Sequence, residues 1–154
     1  MDLLALDPRT GVVLVIEVKT EIHDVGAIER ALGWYEREAW SAARRLGWRP
    51  RAVIGCLLVL ATDASDSRIQ ANRAVFDRVF PLRWRDLVAI MSGTSRVDGG
   101  RALAMIDPRS RRRDWTRPAR IDGRRSAAPY ADYVAFMSRI QLSTPPPKGS
   151  PRSS

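Results

Sequence analysis

The spacing of apolar positions changes along the chain, and each change marks an element. Asp2 to Asp7 alternates weakly, as a half-buried strand does, and Pro8-Arg9-Thr10-Gly11 has the composition of a turn. Val12 to Lys19 is rich in β-branched residues, which predicts a second strand and, with the first, a β-hairpin. From Val25 the period becomes helical. Val25, Ile28, Leu32, Tyr35, Ala39, Ala42 and Leu46 follow one another at alternating steps of three and four, one apolar face of a long helix. Asp24 is suited to cap its start and Gly47 to stop it. Ala52 to Ala61 is a continuous apolar run, the pattern of a strand buried on both faces. Capping residues between Thr62 and Ser67 lead into a second helix over 66–80, closed by Pro81. Short strands are expected over 87–91 and 101–106.

The resulting order is β-β-α-β-α-β-β, a mixed α/β (α+β) fold with helices flanking a mixed sheet. Beyond residue 106 the patterning decays. Residues 107–127 are expected to be a flexible basic segment, since Pro108 to Arg125 holds eight arginines and few apolar residues. Residues 128–142 can form a short helix with Tyr130, Val134, Met137 and Ile140 on one side. Residues 143–154 form a Pro/Ser-rich tail expected to be disordered. The folded domain is therefore placed at 1–106.

Charge sharpens this division. The formal net charge is +9, but residues 1–106 carry 15 basic and 13 acidic residues, whereas 107–154 carry 11 and 4. The basicity lies mainly in the second part and points to an anionic partner such as nucleic acid. Arg111, Arg112, Arg113 and Trp115 combine guanidinium groups with an indole, a mixture that can bind phosphates and stack on bases. A solvated, codon-biased tail explains the same residues. No apolar run reaches the length of a membrane-spanning helix, and no signal-peptide pattern opens the chain. The one cysteine, Cys56, lies in an apolar run and is expected to be a buried, inert thiol, in keeping with a cytoplasmic location. One histidine, His23, and one cysteine leave no His/Cys zinc set.

The candidate chemistry lies in the hairpin. If Asp7 faces Val12, paired positions sum to 19 and Asp2 stands opposite Glu17. Opposed residues share a face of the sheet, and Lys19, two positions beyond Glu17, shares it as well. Glu17 interrupts a strongly apolar strand, where an ionised carboxylate is costly without a partner. Two neighbouring carboxylates suit a hard divalent cation, with the Val18 carbonyl as a further ligand. Lys19 would orient or help deprotonate a bound water, or stabilise charge on a phosphate. Lysine is rare in this chain, at two against 24 arginines, so its presence here adds a little weight. A structural Glu–Lys surface pair is the competing explanation. Glu21 lies just past the strand, where it can act as an outer residue of the same site but reads more simply as a surface residue.

Asp-Leu-Leu-Ala-Leu at 2–6 followed by Val-Leu-Val-Ile-Glu-Val-Lys at 13–19 resembles the D…(D/E)-x-K signature of the PD-(D/E)XK, or restriction-endonuclease-like, superfamily. That family folds around an αβββαβ core with the acidic residues and the lysine on a central hairpin and the next helix beside it. The resemblance covers about half the chain. It implies a Mg²⁺- or Mn²⁺-dependent nuclease, with DNA a better substrate than RNA, with Asp2, Glu17 and Lys19 as catalytic residues and Asp2, Glu17 and the Val18 carbonyl as metal ligands. An inactive or truncated nuclease-like protein that binds nucleic acid is the alternative. The family has a helix before its first core strand, and here the chain starts one residue before Asp2, so the expected form lacks that helix. Small actinobacterial proteins look similar, some with such a domain after a DNA-binding helix-turn-helix. A helix-turn-helix partner or a second copy of the chain is thus among the partners to be considered, besides nucleic acid. A role as a protein-interaction partner is a third reading.

Overall fold

Gly11 shapes the first turn. Its φ of 68° lies in the left-handed region, and its N–H donates to the Asp7 carbonyl at 2.8 Å. The turn joins β1 (Leu3–Asp7) and β2 (Val12–Lys19) in an antiparallel hairpin with Asp7 opposite Val12 and Leu3 opposite Ile16, the expected register. The structure is a computed structural model and describes residues 1–96, 98–111 and 116–143.

From the hairpin the chain enters α1 (Val25–Arg45), capped by the Asp24 carboxylate, which accepts from the Ala27 N–H at 3.0 Å. Gly47, with φ of 75°, follows its C-cap. The buried positions Ile28, Leu32, Ala39 and Ala43 lie on one side, as the three–four spacing requires. The chain then returns as β3 (Ala52–Leu60), parallel to β2. Every residue of β3 is buried, in accord with its unbroken apolar run. The expected second helix is two: α2 (Asp63–Ala71), capped by Thr62, and α3 (Arg73–Val79), separated at Asn72. A two-residue strand, β4 (Leu82–Arg83), leads into α4 (Trp84–Met91).

That last helix corrects the expected strand over 87–91. An unbroken run of five apolar residues, Leu87 to Met91, fits either period. Burial resolves them: Leu87 and Ile90, three apart, are buried, while Val88 is 48% exposed. Asp86, three residues after Arg83, accepts from the Arg83 N–H at 2.7 Å and closes the first turn.

β5 (Gly99–Ile106) pairs in parallel with β3, and its outer edge is shared by β4, parallel, and β6 (Thr116–Arg117), antiparallel. The sheet order is β1-β2-β3-β5-β4, with β6 on β5. α5 (Tyr133–Ser143) closes the described chain, five residues later than the helix expected from 128. The fold is thus mixed α/β with helices on both faces of a mixed sheet. On one face Val13, Val15, Leu57, Val59, Leu103 and Met105 pack against α1, Ile69, Phe76 and Phe80. On the other, Val12, Ile54, Cys56, Leu58 and Ala104 pack against Leu87 and Ile90.

The basic segment does not simply leave the domain. Among its described residues β6 extends the sheet, Ala119 joins the core, and the Ser126 N–H donates to the buried Asp66 carboxylate at 3.0 Å. Small apolar and polar residues between the arginines supply these anchors, and a tally of charge hides them. The disordered tail expected from 143 lies almost wholly outside the described residues. No helix among the described residues is long and apolar enough to cross a membrane.

Candidate functional site

β2 runs parallel to β3 and β5, so its last residues stand at the carboxyl ends of the parallel strands, where open α/β sheets commonly place their sites. Glu17 is on the α1 face of β2, next in line after Val13 and Val15. It is 5% exposed, a carboxylate at the margin of an apolar layer. Lys19 is two residues on, and its Nζ lies 2.6 Å from Glu17 Oε1. The other oxygen, Oε2, is buried and accepts no hydrogen bond, although the Met1 nitrogen stands 3.2 Å away. Distance alone makes that second contact an ion pair, and its geometry falls short of a hydrogen bond.

Asp2 adjoins this pair in a different posture from the one expected. Regular pairing ends at Leu3. The Asp2 N–H donates to the Ile16 carbonyl at 3.0 Å, and Oδ2 accepts from the Val18 N–H at 2.7 Å. One carboxylate oxygen therefore closes the end of the ladder. Oδ1 has no hydrogen bond among the described residues. The Asp2 charge still reaches Lys19. The Glu17 carboxylate, bonded to the ammonium, is the main cause holding the Lys19 pKa above its ordinary value against the cost of burial, and Asp2 adds to it. Lys19 is thus a firm cation at neutral pH.

The structure brings Glu17, Lys19 and Asp2 to one end of the hairpin. Val18 lies between them, paired with Leu58 of β3, its side chain half-exposed. Glu21 sits just beyond the strand, half-buried, 3.6 Å from the Nε2 of the exposed His23. Arg111 is exposed, and Arg112, Arg113 and Trp115 lie outside the described residues. No group of three or more His, Cys, Asp or Glu side chains converges among the described residues. A smaller donor set remains: Glu17 Oε2, which meets only the Met1 nitrogen, Asp2 Oδ1 and main-chain oxygen. These are hard oxygen donors, and a buried carboxylate oxygen without a hydrogen bond beside a second carboxylate fits Mg²⁺ or Mn²⁺ completed by waters.

A second polar cluster was not read from the sequence. Asp107, at the end of β5, accepts from the Tyr130 hydroxyl at 3.0 Å and pairs with Arg117 at 3.1 Å. Thr62 and Ser65 are buried beside Asp66 at the end of β3. These residues bind the later chain to the sheet. Their signal was faint, because an aspartate ending a strand also reads as an ordinary turn residue.

Neither a family model, nor a characterised protein, nor a solved structure matches the chain.

Proposed function

We propose that the open end of the β1–β2 hairpin is a Mg²⁺- or Mn²⁺-dependent site for phosphodiester hydrolysis, of the PD-(D/E)XK nuclease type, with DNA as its substrate. The observation that carries this reading is Glu17, a carboxylate buried at the end of an apolar strand, whose Oε2 accepts no hydrogen bond and meets only the Met1 nitrogen, at 3.2 Å. The succession of hairpin, helix and parallel strand supports it, because the resemblance places its acidic residues and lysine in such a setting.

Glu17 Oε2 and Asp2 Oδ1 would hold the ion, with the Val18 carbonyl as a further ligand. A bound ion would lower the pKa of a water and neutralise phosphoryl oxygens. Lys19, kept protonated by Glu17, donates to a phosphate oxygen or orients the water. It does not serve as the base, which narrows the roles open to it.

Cleavage of a supercoiled plasmid by the purified protein tests the proposal. Cutting should require Mg²⁺, stop with chelator, and be lost in Glu17→Ala and Lys19→Ala. A second reading, a nucleic-acid-binding protein without hydrolytic activity, draws on the Asp2 carboxylate already engaged by the Val18 N–H. It predicts no cutting, and binding that weakens steeply with salt yet survives both substitutions.

A further inference from the structure

At the sheet edge opposite β1, a cleft of about 850 Å³ opens between α3, the β4–α4 junction and residues 116–122. We propose that it binds a nucleoside mono- or diphosphate, independently of the hydrolytic reading above.

Its charge is the first argument. Two aspartates line it, and both have partners: Asp77 pairs with Arg83 at 2.7 Å and Asp122 with Arg124 at 3.8 Å. Arg73, Arg85 and Arg120 also line it, and none of their guanidinium groups pairs with an acid among the described residues. Three arginines without an acidic partner among the described residues, from α3, α4 and the segment after β6, thus line one cavity. Their planar forks suit the oxygens of a phosphate.

The wall that bears Arg120 is built to stay in place. The Gln70 side-chain amide donates to the carbonyls of Arg120 and Arg124, at 2.7 and 3.0 Å. The Arg120 N–H donates to Ser126 Oγ at 3.0 Å, and the Ser126 N–H donates to Asp66, which is 1% exposed. Ala119 is packed into the core. A surface segment held by a buried carboxylate and a glutamine presents its arginine with little ordering left to be done on binding.

Size and lining select the ligand. The volume is within the range of small-molecule sites and far exceeds the need of a phosphate group. Ala74, Ala119 and Ile121 supply an apolar wall for a base beside the arginines.

Titration calorimetry of the full chain with ADP and GDP tests this, with pyrophosphate and a hexamer of thymidylate as comparators. At least one nucleotide should bind saturably, more tightly than pyrophosphate. Arg85→Ala and Arg120→Ala should each weaken it about tenfold, the loss of a charge-assisted hydrogen bond. Both arginines are exposed, so the variants should melt with the wild type. Arg44→Ala/Arg45→Ala, at the exposed end of α1, and Glu17→Ala should leave binding unchanged. The proposal is overturned if neither nucleotide binds, if the hexamer alone binds, or if pyrophosphate binds as tightly. Equal losses in the pocket variants and the Arg44/Arg45 control would overturn it too, by tracing binding to general charge.

Discussion

Glu17 and Lys19 face the same way from one strand, and each sets the other's behaviour. The Lys19 pKa is raised, so the stability that the pair supplies is fully present below the ordinary lysine value of about 10.4 and is lost only as pH rises through the raised value. A pH–rate profile of cleavage between about pH 6 and 9 should therefore show no limb belonging to Lys19. Asp7, at the other end of the hairpin, has the opposite sign. The Arg9 backbone N–H, at 3.0 Å, is the main cause holding its carboxyl below the ordinary value of about 3.9. Its stabilising effect is present above that value and lost as pH falls through the lowered one. Asp7→Asn should lower the unfolding midpoint in urea at neutral pH, and the gap from wild type should close as pH falls below about 4. Cys56 behaves as its apolar surroundings dictate. Burial pushes the thiol up to about 12, so the folded protein should not react with a thiol reagent at neutral pH until denaturant is added.

Elements succeed where one period dominates. The hairpin register and α1 were legible because a β-branched run, a Gly turn and a three–four repeat each agree with the tertiary contacts. Between residues 62 and 91 the elements are short, and local pattern no longer separates strand from helix. There α4 emerges from burial of Leu87 and Ile90, and Asn72 divides what looked like one helix. Side-chain pairing between elements distant in sequence was beyond sequence reading. Glu36 of α1 and Arg101 of β5 form a two-pronged ion pair at 2.7 and 2.8 Å. Gly55 of β3 makes room for it, because an added Cβ would collide with Glu36 Oε1 and stand 3.2 Å from Arg101 Cγ. Gly55→Ala should cost about 1–3 kcal/mol in urea unfolding, by displacing that pair from a filled site.

At the scale of the molecule, the later chain belongs to the domain through polar anchors. Asp66→Ala removes the acceptor of the buried Ser126 N–H and should destabilise by about 1–3 kcal/mol. Arginine content concealed this, since eight charges among 18 residues read as a solvated stretch. Of the candidate site, the juxtaposition of Glu17 and Lys19 follows from strand alternation alone. The posture of Asp2 does not, because pairing beyond Leu3 depends on hydrogen bonds that no residue pattern encodes. The most direct test of the proposed site is the rate of Mg²⁺-dependent plasmid cleavage by Glu17→Gln beside that of the wild type. The substitution keeps the shape of the side chain and removes its charge. If the site works as proposed, cleavage falls at least about 100-fold while the melting temperature stays close to wild type. Equal cleavage by the two proteins, or none by the wild type in Mg²⁺ or Mn²⁺, would contradict it.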